Sequence, residues 1–488
     1  MCAQWSIRQS FLASEEERTQ RHSSRQLGLG RNVRYDPSML RSVVVWMALV
    51  LVLSAPAFAG EEATLVLYGG QIITMQSPGD IQEAIAIADD RILAVGSVAE
   101  ILALVGDSTE VVDLRGRVVL PGFVDPHTHL LNDSWNAGLS PIESQELALR
   151  NGITTAANMY TTPSFLEEVI ALARAGQLRL RCSLYLIYNT SCGEILGHWY
   201  LDQEPLIEMA PRLRIGGIKI FSETSVCGDQ RIGISFTEPL RQVLSPAGQA
   251  WYGVNRPLFN ATELAEVIET VQEEGFPVAI HAIGDGGIQL CLDAFEKTSA
   301  SQPSSIRHAV LHNLFIRDDL LMKYEELDVV AAIESTSPCF TNVYQDLLPL
   351  EFKHIVRRWK DLADSGALVA ADSDWPWSAE EAISPLFRLQ ALMSPVNHSG
   401  SYAEWEPCGT LPDDQLLSAW QGLQMMTVDA ARMLHMEQEI GTLVAGKLAD
   451  LVVLSENPLT APVEELTAID VLLTVVNGVQ EYRAQALK

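Results

Sequence analysis

The chain has 488 residues, 48% of them hydrophobic, and a formal charge of −29, enough to bury a substantial core in one large domain and a smaller one. Beyond residue 59 it carries 26 basic against 58 acidic residues, a net of −32. Such a surface repels phosphate backbones and anionic membranes, which excludes nucleic acid as an expected partner.

Residues 1–38 are rich in Arg, Ser and Glu and lack apolar periodicity; they are expected to be a non-structural extension, with Met39 as the working start. Residues 43–53 form an apolar run too short to span a bilayer, preceded by Arg41 and followed by small residues at Ala57 and Ala59. This reads as a signal peptide over 39–59, cleaved after Ala59, with export to the periplasm or the medium and no stable membrane insertion afterwards. An uncleaved anchor is the alternative.

Residues 60–120 hold short β-type runs at 64–68, 71–75 and 84–88, separated by Gly and Asp turns, and 431–488 return to the same texture at 450–454 and 471–476. Two strand-rich ends imply one small composite β-sandwich domain. Between them, 121–430 alternates apolar runs with helical patterns such as 261–274. That alternation predicts an α/β architecture, a TIM (β/α)8 barrel.

Five apolar runs in this middle region end in residues that can hold a metal. In Pro121-Gly-Phe-Val-Asp-Pro-His127-Thr-His129, the period of two puts both imidazoles on one face. Ile215-Gly-Gly-Ile-Lys219 buries an ammonium, which depresses its pKa and leaves a nucleophilic amine able to add CO2. Taken singly, it reads as a lysine snorkelling from a strand end. Runs ending at His281, His312 and Asp372-Ser373-Asp374 complete the set; alone, these would be core histidines and a helix cap. A barrel gathers its strand C-termini in one place, so together they supply ligands for two ions.

Four motifs match a known family in order: 121–129, Ile-His-Ala-Ile-Gly-Asp at 280–285, Ser-Asp-Trp-Pro at 373–376, and Ile-Gly-Thr-Leu-Val-Ala-Gly-Lys-Leu-Ala-Asp-Leu-Val-Val-Leu at 440–454. From about Thr64 to Asn477 the chain resembles the amidohydrolase superfamily, within it the amidohydrolase 3 group of imidazolonepropionase-like and N-substituted formamide deformylase-like proteins. The resemblance implies a binuclear centre, usually zinc. His127, His129 and Asp374 would hold one ion, His281 and His312 the other, and carboxylated Lys219 would bridge them. Asp374 would also serve as the catalytic base. His312 is preferred to His308 because Arg307-His308 matches the pair preceding the family's ligand, and Asp374 to Asp372 because the family aspartate follows serine. A homodimer is implied too.

Two departures carry expectations. Only about twenty residues separate His129 from Gly152-Ile-Thr-Thr155, where the family commonly has a long insertion. Glu223 and Asp372 stand where the family has other residues, which predicts extra negative charge in the pocket and a cationic or polar substrate. Trp135, Tyr160, Tyr188, Trp375 and Trp377 are candidate pocket aromatics. Six cysteines follow residue 59 at wide spacing; Cys182 and Cys192 are the closest pair, and buried free thiols are the other reading.

The resulting expectation is an exported metal-dependent hydrolase of a non-peptide or modified C–N bond in a small amide. One rival is a mononuclear deaminase on the same barrel, which wants an acid just after His281 where Ala282-Ile283-Gly284 stands. The other is a non-catalytic relict binding protein, disfavoured because a relict has no reason to keep a costly polar cluster.

Overall fold

The computed structural model describes residues 62–225, 227, 233–246, 249, 257–335, 347–396 and 412–487. The expected 1–38 extension, the signal peptide and its cleavage site lie outside these residues. Among the described residues no helix is long and apolar enough to cross a membrane.

The chain enters through β1 (Ala63–Ile73), β2 (Ile81–Ala88), β3 (Arg91–Gly96), β4 (Val105–Asp113) and β5 (Val118–Pro121). The two runs expected at 64–68 and 71–75 are one strand, with an irregularity between Tyr68 and Ile72 at the Gly69-Gly70 pair. The barrel follows: β6 (Phe123–Thr128), β7 (Ile153–Thr161), β8 (Arg181–Ile187), a short β9 (Glu208–Ala210), β10 (Leu213–Phe221), β11 (Val278–Ala282), β12 (Ala309–His312), β13 (Val330–Glu334) and β14 (Val369–Asp372). The chain closes with β15 (Leu451–Leu454), β16 (Val471–Val476) and β17 (Val479–Arg483).

Strands β1–β5 and β15–β17 form one eight-stranded sheet, joined where β5 lies antiparallel to β15 with Val119 opposite Val453. Alternate residues from both chain ends, Leu65, Leu67, Ile85, Ile87, Leu451, Val453, Leu473 and Val475, share one buried cluster. This is the expected composite domain, and neither end can bury its apolar face without the other.

The second sheet runs β14-β13-β12-β11-β10-β8-β7-β6 with parallel pairing throughout, β9 adding antiparallel to β10. Its path is a nearly closed eight-stranded barrel, the architecture read from the alternation of apolar runs and helical patterns. Closure comes at the top: Asp374 N donates to His127 O at 3.0 Å, and His129 N to Trp375 O at 2.8 Å. Inward residues such as Val124, Ala157, Tyr185, Ala279, Leu311, Ala332 and Ala370 fill the interior, mostly small side chains that leave depth for polar groups above.

Gly122 carries the chain from sheet to barrel. A Cβ there would lie 2.2 Å from the side chain of buried Thr154, so only glycine fits. Nearby, the Arg181 guanidinium meets the Asp450 carboxylate with both side chains nearly fully buried, and Asp450 also accepts from Asn477 N. Removing the acid strands a buried cation. Asp450→Ala is expected to lower stability by about 3–5 kcal/mol, measured by chemical denaturation against wild type.

Candidate metal centre

Two of the six expected donors, Lys219 and His281, reach the cavity by strand parity alone. On β10, Ile218 and Ile220 pack outward while Lys219 and Phe221 face inward; on β11, Ile280 packs outward and His281 faces inward. At the end of β6 a register shift between Asp125 and Thr128 takes His127 off the parity of inward Val124, and His127 and His129 both line the cavity, as does Asp374 past the end of β14. His312 breaks the pattern: Ala309 and Leu311 face the barrel interior, so parity would turn His312 outward. Left-handed backbone at His312 (φ 74°) and Asn313 (φ 52°) swings the imidazole into the cavity instead. The Asn313 amide repays part of that strain by donating to Val310 O and Ala332 O at 2.8 and 2.9 Å.

All six candidate residues therefore line one cavity of about 340 Å³. His281 and His312 ring centroids lie 4.3 Å apart, those of His127 and His312 5.0 Å. Asp374 Oδ1 is 3.2 Å from His127 Nε2 and 3.5 Å from His129 Nε2. One donor atom each from His127, His312 and Asp374 falls within 4.8 Å of the other two, close enough for all three to surround a single ion. This trio draws on both of the ligand sets expected from the family.

Two carboxylates escaped the sequence reading. Glu334, the last residue of β13, meets His312 Nδ1, and Asp133 Oδ2 stands 3.2 Å from His129 Nδ1 while accepting from Trp377 Nε1 at 2.9 Å. Each lines the cavity as well and orients the imidazole that it meets. The signal for Glu334 was present: Ala331-Ala-Ile-Glu334 is one more apolar run ending in a donor.

The charge pattern fits a divalent cation. Burial holds Lys219 down at about 7, and His281 well below the usual imidazole range, with His312 adding to the effect. Burial also opposes charge on His127, yet Asp374 and Asp372 together push it up to about 9. Asp374 is lowered despite burial, chiefly by His127. These carboxylates demand positive charge at this spot; a proton supplies one unit, whereas a divalent ion supplies two. The buried nitrogens His281 Nε2 and His312 Nε2 have no hydrogen-bond partner among the described residues, and a lone pair left so is costly unless an ion takes it.

The two departures act differently from expectation. Glu223 and Asp372 are fully buried and line no part of the cavity. Glu223 instead accepts from the amides of Ser235, Ile283 and Gly284, although burial still pushes it up to about 7. Asp372 lies beneath His127, 3.5 Å from Nδ1, which supports preferring Asp374 as the residue that faces the cavity. His308 bonds Gln272 and Val278 N and stacks on Phe295, away from the site. Of the candidate aromatics only Tyr160 and Trp377 line the cavity; Trp375 is buried, Tyr188 packs on His198 and Phe259, and Trp135 is exposed. Cys192 pairs with Cys227, not Cys182, while Cys182 and Cys291 are buried free thiols. Sequence proximity could not show this, because the pairing joins loops that follow different strands.

A barrel that aims imidazoles, an amine and a carboxylate into one cavity at its strand C-termini defines the class of metal-dependent hydrolases. Among curated proteins, the imidazolonepropionase of Symbiobacterium thermophilum is 29% identical over 397 residues, covering 76% of this chain and 83% of that one. A metal-dependent hydrolase structure from Pyrococcus furiosus superposes with a TM-score of 0.64 at 20% identity, covering 81% of this chain and all of that one. A structure of a Xaa-Pro dipeptidase with bound methionine gives 0.59 at 16%, covering 86% and 100%. The model of the amidohydrolase family (Amidohydro_3) matches residues 110–148 and 143–482, and the chain belongs to that family.

Asp133→Asn and Glu334→Gln should each weaken retention of a divalent ion by about 10–100-fold, read by competition with a chelator, with the far-UV circular dichroism unchanged.

Proposed function

We propose that this protein hydrolyses a non-peptide or modified C–N bond in a small amide at a binuclear centre. The coarser statement, a metal-dependent hydrolase acting on C–N bonds, follows from the family. The observation that supports the finer reading is the set of imidazole nitrogens without hydrogen-bond partners among the described residues, gathered with Lys219 and Asp374 around one cavity. Here His127, His129 and Asp374 would hold one ion and His281 and His312 the other. Lys219 would be shared by both, its neutral amine adding to CO2 and losing a proton to give a carbamate of charge −1. Two divalent ions, zinc in this reading, supply Lewis acidity that polarises a carbonyl and acidifies water when bound.

The chain's own residues do the rest. Asp374, lowered and therefore ionised at neutral pH, takes the proton of the attacking water and delivers it to the leaving nitrogen. Its left-handed backbone (φ 47°) fixes the carboxylate beside the imidazoles. Tyr160, Phe221 and Trp377 offer apolar surface and Ser191 and Ser225 hydroxyls to the substrate. The formamide deformylase-like resemblance points to an N-acyl amine, with imidazolonepropionase the activity named for a relative.

A mononuclear centre is the second reading, favoured because His127, His312 and Asp374 alone can surround one ion. Metal analysis separates them: about two ions per chain are expected, and one would select the mononuclear scheme. Export after cleavage at Ala59 and a homodimer belong to the same proposal. The Cys192–Cys227 disulfide supports an oxidising compartment, and N-terminal sequencing of exported protein beginning elsewhere would refute the cleavage site.

Turnover is to be tested on 4-nitroacetanilide and a panel of N-formyl and N-acetyl amines. Asp374→Asn is expected to lower kcat by about 10²–10⁴-fold with most of the metal kept; full activity in that variant would remove Asp374 from the proposed role.

A further inference from the structure

The pairing of β8 with β10 continues past the ends of both strands, up one wall of the cavity. Tyr188 N donates to Lys219 O at 2.9 Å. The Asn189 amide then bridges to Phe221 in both directions, Nδ2 donating to the carbonyl and Oδ1 accepting from the N–H, each at 3.0 Å. Further out, Ser225 N donates to Ser191 O at 3.0 Å. The ladder ends in the disulfide between Cys192 and Cys227.

Ser191 and Ser225 both line the cavity, so the cross-link lies one residue from the first and two from the second. The inner rung is secure because Asn189 is fully buried, and Glu223 beside it is clamped by three amides. At the outer rung the residues are only half-buried, and the backbone hydrogen bond there competes with water. Cys192 itself rides on a tight turn, closed by Thr190 N donating to Glu194 O at 2.8 Å and by Gly193 in the left-handed region at φ 89°. One partner is thus held by its own turn, and the covalent bond ties the other to that turn.

We propose that the Cys192–Cys227 disulfide is a positioning cross-link that sets the Ser191–Ser225 wall of the pocket, so that the grip on substrate depends on its being oxidised. The part that concerns substrate rests on the hydrolase reading above. Reduction by a dithiol breaks the S–S bond and transfers two electrons and two protons to give two thiols, the dithiol closing to its own cyclic disulfide. Chemistry at Asp374 is left in place, because no metal-facing residue lies on the outer rung.

The test compares oxidised wild type, dithiothreitol-reduced wild type and the double variant Cys192→Ser with Cys227→Ser, all metal-loaded. Hydrogen exchange at the Ser225 amide is expected to speed up by about tenfold or more in both altered proteins, while the amides of Ile218 and Phe221 keep their protection. The KM for 4-nitroacetanilide, or for the panel amide that is turned over, should rise by about tenfold with kcat changed less than about twofold and metal content unaltered. Unchanged exchange at Ser225 would overturn the proposal, as would faster exchange with an unchanged KM, or a joint loss of kcat and metal. The reduced wild type starts folded, so the comparison holds even where the double variant does not accumulate. If oxidised wild type turns over no amide, the hydrolase reading fails, and exchange at Ser225 still decides whether the cross-link holds the wall.

Discussion

The seam that closes the barrel is also the floor of its metal centre. Asp374 N bonds His127 O, His129 N bonds Trp375 O, and Ser373 N donates to Asp125 Oδ1 at 3.1 Å, so the first and last strands are joined through residues of the site. Buried Arg388 stands 3.6 Å from Asp125 Oδ2 and donates to Ala371 O, extending the tie into the helix after β14. Parallel strands meeting end to end leave backbone groups that must find partners. Here the partners are the carbonyls and amides of His127, His129 and Asp374, so their side chains are placed by the same bonds that close the fold. A site built this way tolerates little drift, since moving a donor means opening the barrel.

Burying so much charge has a cost, and the structure spreads it in layers. Directly around the cavity stand four imidazoles, one amine, Asp374, Asp133 and Glu334. Asp133 and Glu334 from the cavity side and Asp372 from behind each meet an imidazole, which fixes ring orientation. Burial pushes Asp372 up to about 6 although His127 opposes it, the mark of an acid kept inside for its position. Backbone strain is concentrated in the same place: His312, Asn313 and Asp374 all have positive φ. Such angles persist only where surrounding contacts over-determine them, and both Asn313 and Asp374 have those contacts.

Much of this was legible in the chain because strand parity is a local rule. Lys219 and His281 could be read as inward-facing from period two and apolar flanks, and the composite β domain from matching texture at the two chain ends. What the rule cannot see is a register shift, as at His127, or a left-handed residue. His312 lies at the wrong parity and was picked out because it ends an apolar run, with the family resemblance preferring it to His308. Glu334 was missed for the opposite reason: a carboxylate ending an apolar run is so ordinary a pattern that nothing set it apart from a cap. Glu223 was misjudged because a departure in sequence next to a ligand strand says nothing about which face it takes. The Cys192–Cys227 pair was illegible because its 35-residue separation spans a strand and a loop whose return path only the fold defines.

The short connection after His129 gives these details a common logic. After His129 the chain proceeds at once to a brief 3₁₀ turn at Ser134–Ala137 and a helix at Pro141–Arg150. The pocket draws part of its wall from other loops at the same barrel face. Those after β8 and β10 are the ones that contribute Ser191 and Ser225, and they are the ones bound by a covalent bond. Short loops order cheaply and need no staple, whereas segments that rise beyond their strands lose entropy for each residue held. The disulfide therefore falls on the two loops that bring Ser191 and Ser225 to the cavity, outside the cluster of imidazoles.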